Sequence, residues 1–336
     1  MRIKINEKTY QAQEGERILD VCRREGIKIP TLCAFENLLR GAACRLCLVE
    51  INLTGKLVTS CTFPVCDKLE VITESDRITK ARNINMELLW ADHAGKCVTC
   101  KKNLQCELQS LAADYKIENF HFVPRKGEIT DQEERKLLRD NKSRVVVDDK
   151  NPVIHRTTEF CVECRRCIGV CPEKKFGFNN RARDVVVGTP YNKTLGCSFC
   201  GECVRVCPTA ALTDKNDMKK IGEDLSNIKK MAVAIIDLGM EEKILEQFKK
   251  MGKEENIREL FQALGFEKII NVTEKDSEDE TIRNVKTDYA KKEKINPEDI
   301  VVFFISDKIR KKAEKSEYLD YVLTEREIPR LKSLNH

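Results

Sequence analysis

The chain has 336 residues, 41% of them hydrophobic and 34% charged, with 60 Lys and Arg against 55 Asp and Glu. No apolar run approaches the roughly 20 residues that cross a bilayer, which excludes a membrane-spanning helix. The formal charge of +5 does not mark a nucleic-acid binder, because basic and acidic residues alternate along nearly the whole chain.

Met1-Arg2-Ile3-Lys4-Ile5-Asn6 alternates apolar and charged residues. It reads as the start of a strand pair over 2–12, turning at Asn6-Glu7-Lys8, rather than as an export signal. The spacing predicts a helix over 17–25, with Ile18, Leu19, Val21 and Cys22 on its apolar face and Gly26 just past its C-cap. Strands are expected over 46–53, 57–61 and 69–73. Hairpin, helix, then further strands is the order of a small β-grasp ferredoxin over residues 1–77. A helix over 76–93, with Ile78, Ala81, Ile84 and Leu88 at helical spacing, opens a module that runs from 78 to 124. Residues 125–155 form a charged connector, in which Val145-Val146-Val147 are the strand-forming residues. Residues 156–216 contain two similar cysteine units.

Over 228–336 apolar strands (231–238, 268–272, 300–306) alternate with helices (241–251, 256–264), which predicts a small α/β domain with a parallel or mixed sheet. Thr324-x-x-Glu327 reads as a capping box opening a last helix over 324–331. There is no glycine-rich phosphate loop. The fold class expected is therefore multidomain α+β.

All 17 cysteines fall between Cys22 and Cys207. Their tight C-x2-C runs suit metal chelation better than disulfides between separate loops, and a reducing cytoplasm is the expected compartment. The strongest pattern is a pair of C-x2-C-x2-C-x3-C-P runs. One is Cys161, Cys164, Cys167, Cys171 with Pro172; the other is Cys197, Cys200, Cys203, Cys207 with Pro208. Three thiolates at such spacing wrap one cubane, and the fourth ligates the other. One [4Fe–4S] cluster is thus assigned to Cys161, Cys164, Cys167 and Cys207, the other to Cys171, Cys197, Cys200 and Cys203. Zinc knuckles are the alternative, although zinc does not need a doubled pattern.

At the front, Cys33, Cys44, Cys47 and Cys61 suit a [2Fe–2S] cluster, with Gly41-Ala42-Ala43 small enough for the loop to fold over it. The spacing departs from the plant-type pattern, and a zinc ribbon is the bland alternative. Cys22, on an apolar helix face, and Cys66 are left outside the motifs. Between the two regions lies His93-x3-Cys97-x2-Cys100-x5-Cys106. The motifs hold 15 cysteines, whereas four clusters need about 16 ligands. His93 is therefore taken as the missing ligand of a third [4Fe–4S] cluster. His121, His155 and His336 read as ordinary residues. Four such clusters add roughly −7 of charge, leaving the loaded protein near neutral.

In this order the motifs resemble the accessory-cluster region of [FeFe] hydrogenase catalytic subunits and the N-terminal region of the complex I large iron–sulfur subunit. Ile29-Pro30-Thr31-Leu32-Cys33, Val187-Gly188-Thr189 and Cys207-Pro208-Thr209-Ala210-Ala211-Leu212 add to the resemblance. Ala263-Leu264-Gly265-Phe266 and Asp320–Glu327 are similar to stretches of the hydrogenase catalytic domain. That family holds its hydrogen-activating cluster with four cysteines, and this chain has none after Cys207. Where a family ligand would precede Lys311-Lys312, the chain reads Ser306-Asp307-Lys308. The resemblance thus implies a degenerate catalytic domain and no hydrogenase activity in this chain.

It further implies a non-catalytic subunit relaying single electrons in a cytoplasmic NAD(P)/ferredoxin oxidoreductase of the flavin-based, electron-bifurcating type. The partners implied are a flavin- and NAD(P)-binding iron–sulfur subunit, a small [2Fe–2S] thioredoxin-like subunit and ferredoxin. A [NiFe] hydrogenase or formate dehydrogenase is the alternative terminus. A redox sensor or cluster-assembly protein is the reading from another class. No nucleic acid is expected as a partner, and no membrane span is expected.

Overall fold

The structure, a computed structural model, describes residues 1–35, 38, 40–91, 93, 97–98, 100–117, 122, 146–179, 185–215, 218–250, 256–273, 277–314 and 316–331. Most of the expected connector, His121 and His336 lie outside these residues. The chain divides into two compact units. The first is Met1–Asp149, His155–Gly196 and Glu202–Thr213; the second is Lys150–Ile154, Cys197–Gly201 and Asp214–His336.

The first unit opens with the hairpin expected from the alternating pattern: β1 (Arg2–Ile5) and β2 (Lys8–Gln11), antiparallel, with left-handed backbone at Asn6 and Glu7. Helix α1 (Ile18–Arg24) ends where Gly26 takes φ 71°. Three strands complete the sheet, β3 (Leu48–Ile51), β4 (Lys56–Thr59) and β5 (Glu70–Ile72), in the order β2-β1-β5-β3-β4. Only β1 and β5 pair in parallel, with Lys4 opposite Glu70. Ile3, Ile5, Val49 and Val71 from the sheet close on Ile18, Val21 and Cys22 of α1. Fully burying such a side chain contributes about 1.5–3 kcal/mol.

Helix α2 (Asp76–Ala91) corrects an expectation. Ile84 and Leu88, counted on the apolar face, are 42% and 46% exposed, and the buried face is Ile78, Arg82 and Met86. Arg82 is inside because its guanidinium donates to the carbonyls of Leu48 and Thr73, so a charged residue occupies a core position. Further elements follow: α3 (Glu107–Asp114), β6 (Val147–Asp148), β7 (Ile154–Thr157), α4 (Arg166–Val170), β8 (Gly177–Asn179), β9 (Val186–Gly188), α5 (Glu202–Arg205) and β10 (Leu212–Asp214), all in this unit save for Ile154 at the start of β7 and Asp214 at the end of β10. Of the strand-forming valines, Val147 lies in β6, which pairs antiparallel with β7, Val146 precedes it, and Val145 lies outside the described residues.

The second unit is built on four parallel strands in the order β12-β11-β13-β14: β11 (Met231–Ile236), β12 (Lys268–Asn271), β13 (Ile300–Ile305) and β14 (Tyr321–Leu323). β11 and β13 are continuously apolar because both faces of the sheet are covered. Ala234, Ile236, Phe303 and Ile305 face one core with Phe248, Phe261 and Phe266. Val233, Ile235, Val302 and Phe304 face the other with Ile282 and Val285. Helix Ile257–Ala263 ends in a Schellman turn, in which Phe266 N–H donates to the Phe261 carbonyl and Gly265 N–H to that of Gln262, both at 3.0 Å. Gly265 sits at φ 94°, with the Leu225 carbonyl 3.1 Å from where a Cβ would be.

The expected capping box forms by half. Glu327 reaches back to Thr324 N–H at 3.0 Å, but the Thr324 hydroxyl donates to Glu327 and Asp214 instead of capping, and the helix is only Ile328–Leu331.

Candidate iron–sulfur sites

Cys33, Cys44, Cys47 and Cys61 are all buried. The Cys44 thiol donates to Cys33 Sγ across 3.3 Å. Hydrogen bonds from Cys44 and Cys61, reinforced by the N–H groups of Cys44 and Ala43, hold Cys33 as a thiolate at about 2. Cys61 also lies beside Cys47, whose thiol is lowered to about 7, while Cys44 and Cys61 are pushed up by the neighbouring Cys33 sulfur and by burial. Left-handed backbone at Ala42 and Arg45 shapes the loop. The Ser60 hydroxyl and N–H both donate to the Cys47 carbonyl, at 2.8 and 3.0 Å, which ties the two ends of the site together. Four converging sulfurs with backbone donors aimed at them fit a cluster carried by thiolates.

His93 lies in the turn after α2 rather than at its end, with its N–H on the Trp90 carbonyl at 2.9 Å. The residue is 4% exposed, and its ring centroid lies 5.6 Å from that of Phe160. Cys97 and Cys100 share one turn, and Cys106 is buried as the N-cap of α3. Burial raises both Cys97 and Cys106; the Cys100 sulfur acts on each, and Lys102 opposes it at Cys106. The three sulfurs therefore share one neighbourhood.

Cys161, Cys164, Cys167 and Cys207 line a single cavity with Arg156, Phe176, Val187 and Leu212. This is the quartet expected from crossed ligation, with the fourth sulfur of the second run joining the first three of the first. Burial raises the Cys164 and Cys167 thiols. The Arg156 guanidinium in the wall of that cavity supplies a positive charge that suits an anionic cluster carried by the four sulfurs. Of the other quartet, Cys171 and Cys203 belong to the first unit, Cys197 and Cys200 to the second. Cys203 is buried, Cys171 and Cys197 are half-buried, and Cys200 is exposed.

The first three sites are joined by side chains that motif reading passed over. Cys33, Cys44 and Cys106 lie in one hydrophobic core with Leu32, Leu46, Met86 and Leu108, and Cys164 packs against it. Arg166 makes two 2.7 Å hydrogen bonds to Glu107 on α3 and one of 3.2 Å to the Val206 carbonyl. The Lys102 ammonium donates to the Cys207 carbonyl, and Glu107 N–H to that of Pro208 at 3.1 Å. Arg165 donates to the Gly41 carbonyl at 3.4 Å, and a Cβ on Gly41 would stand 2.9 Å from Arg165 Cδ. The only sequence signal for these contacts is the Arg165-Arg166 pair inside a C-x2-C spacing.

Cys22 is a core residue, its thiol raised to about 11 by burial, and Cys66 is exposed. In the second unit Ser306 is buried and donates to Asp237 at 2.6 Å. Lys308 pairs with Asp237 and Glu278, and Lys311 with Glu278 and Asp279 at 3.0 and 2.9 Å. Ion pairs therefore fill the ends of these strands.

Residues 1–76 match the family model of the 2Fe-2S iron-sulfur cluster binding domain, and 82–121 that of the NADH-ubiquinone oxidoreductase-G iron-sulfur binding region. Residues 141–211 match the 4Fe-4S dicluster domain. The chain carries iron–sulfur domains of both types. It is 33% identical over 245 residues to the NADP-reducing hydrogenase subunit HndD of Solidesulfovibrio fructosivorans, covering 69% of this chain and 39% of that one. It is 29% identical over 213 residues to the NADH-ubiquinone oxidoreductase 75 kDa subunit of Reclinomonas americana, covering 62% and 28%. The mitochondrial NADH-ubiquinone oxidoreductase 78 kDa subunit of Neurospora crassa is 30% identical over 223 residues, covering 64% and 28%. The chain thus spans about two-fifths or less of these relatives. A chain of an NAD+-reducing [NiFe]-hydrogenase in the H2-reduced state shares the fold, with a TM-score of 0.54 at 22% identity over 64% of this chain and 88% of that one. Among the described residues no helix is long and apolar enough to cross a membrane.

Proposed function

We propose that the chain is an electron-transfer subunit with four clusters, one [2Fe–2S] and three [4Fe–4S], and no hydrogen-activating centre of its own. Cys33, Cys44, Cys47 and Cys61 would hold the two-iron cluster. His93, Cys97, Cys100 and Cys106 would hold one four-iron cluster, and Cys161, Cys164, Cys167 and Cys207 the next. The set Cys171, Cys197, Cys200 and Cys203 rests on the sequence repeat. When bound, the clusters supply one-electron redox chemistry.

The observation that carries this reading is the single core that holds Cys33, Cys44 and Cys106, with Cys164 packed against it. Leu32, Leu46, Met86 and Leu108 keep water out between the sites, while the Arg166–Glu107 pair and the Lys102 ammonium fix their separation. Such a row of rigidly spaced sites serves conduction; a sensor needs one. The α/β unit, with its strand ends filled by ion pairs, is read as a remnant catalytic domain turned to scaffolding.

The relatives belong to NADP-reducing hydrogenase and NADH oxidoreductase assemblies. This supports partners that bind flavin and NAD(P), together with a small [2Fe–2S] thioredoxin-like subunit and ferredoxin, in a bifurcating cytoplasmic complex. A [NiFe] hydrogenase as the terminal partner is the second reading, favoured by the fold shared with a chain of one such enzyme. Anaerobic purification of the native complex tests both. The first reading expects about 14 irons per chain and a co-purifying flavoprotein. A nickel subunit selects the second, and a lone monomer with neither rejects both.

A further inference from the structure

Arg156, on β7, is 3% exposed, and among the described residues none of its three guanidinium nitrogens has a hydrogen-bond partner. The carboxylate opposite it in the β6–β7 register, Asp148, accepts instead from Leu195 N–H at 2.8 Å. The guanidinium lines the cavity shared by Cys161, Cys164, Cys167 and Cys207, where Phe176, Val187 and Leu212 offer it no acceptor. The nearby Asp148 charge offsets part of the burial, but the guanidinium N–H donors are left without acceptors, which is costly inside a protein. An anionic body presenting sulfur acceptors in that cavity would satisfy both the charge and the N–H donors. The two cysteine units differ here, because five residues before the first cysteine stands Arg156 in one and Asn192 in the other.

We propose that Arg156 sets the redox potential of the cluster at Cys161, Cys164, Cys167 and Cys207. It places a fixed positive charge and N–H donors against that cluster, which is then reduced more readily than its repeat-related neighbour. A nearby cation favours the form that has gained an electron, and hydrogen bonds to the sulfurs act in the same direction. The inference rests on the ligand assignment proposed above.

The test is an anaerobic, EPR-monitored redox titration of the full-length loaded protein, with dithionite supplying the electrons and Cys161→Ser identifying the signal. Arg156→Gln is expected to move the reduction equilibrium of that one signal about tenfold toward the oxidised form, ~59 mV for a one-electron couple. The other signals should stay in place. Arg156→Lys, which keeps the charge, is expected to recover most of the shift. An unmoved midpoint in Arg156→Gln overturns the proposal while leaving the ligand assignment intact. Should Arg156→Gln fail to hold its iron, Arg156→Lys decides. A midpoint near that of the wild type supports the proposal; a tenfold shift or loss of the signal overturns it. If Cys161→Ser removes no [4Fe–4S] signal, the ligand assignment falls, and this proposal with it.

Discussion

Arg166 grips Glu107 through two parallel hydrogen bonds of 2.7 Å, joining the helix capped by Cys106 to the helix that begins inside the first ferredoxin run. The guanidinium is buried, whereas the carboxylate is 45% exposed. Losing the acid therefore harms the protein more than its own exposure suggests. Glu107→Ala should cost about 1–3 kcal/mol, the range for leaving a buried donor unsatisfied. Urea unfolding of the loaded protein reads this directly, and an unchanged midpoint counts against the seam.

His93 offers a second test. If its imidazole is a ligand, His93→Cys should retain the iron and lower the potential of a single [4Fe–4S] signal, because a thiolate adds negative charge. His93→Ala should lose that signal or lower its potential. Redox titration followed by EPR distinguishes these outcomes from a spectrum that ignores the residue.

Crossed ligation predicts damage at a distance in sequence. Cys207→Ser should harm the cluster held by Cys161, Cys164 and Cys167, whereas Cys171→Ser should harm the one assigned to Cys197, Cys200 and Cys203. Each variant should lose about four irons per chain. Paired with Cys161→Ser and Cys200→Ser, the EPR spectra show which signals disappear together.

Asp214 gives the second unit an acid limit. Burial alone would raise this carboxyl, but Lys312, Arg326 and Arg330 outweigh it and hold the group below its ordinary value. Arg326 stands 3.4 Å away and the Thr324 hydroxyl 3.2 Å. The unfolded chain has the higher pKa, about 3.9, so it binds the proton more readily. The stabilisation is thus complete above that value and is lost as pH falls through the folded one. Asp214→Asn should cost about 3–5 kcal/mol at neutral pH by stranding buried cations. It should also flatten the acid slope between pH 5 and 3 (about one unit either side of the unfolded value). Urea unfolding followed by far-ultraviolet circular dichroism across that window checks both.

Much of this arrangement is legible in the sequence because metal ligands must come in fixed spacings and buried parallel strands must be apolar throughout. The strand pair at the front and the continuous runs at β11 and β13 appear where their patterns put them. Periodicity misplaces the α2 face because nothing local marks Arg82 as having two carbonyl acceptors waiting inside. The helical stretch from Glu278 to Glu293 is hidden in charged text, with only Ile282, Val285 and Ala290 buried. Ala263-Leu264-Gly265-Phe266 carries a helix stop, which the glycine after the last apolar residue marks in the sequence. The Thr324–Glu327 box is only half made because the hydroxyl turns to Asp214, more than a hundred residues away. Three-residue β14 is too short for any period to register.

Gly201, at φ 82°, closes the loop bearing Cys197 and Cys200, and a Cβ there would meet Ile309 Cγ1 at 2.9 Å. Both residues belong to the second unit, so the loop leans on the sheet-bearing portion rather than standing free beside it. Cutting the chain after Thr213 would therefore not trim an ornament. It would strip the two sulfurs proposed as ligands of the wall behind them, and if they do hold a cluster the shortened protein would bind less iron although every cysteine is still written in it.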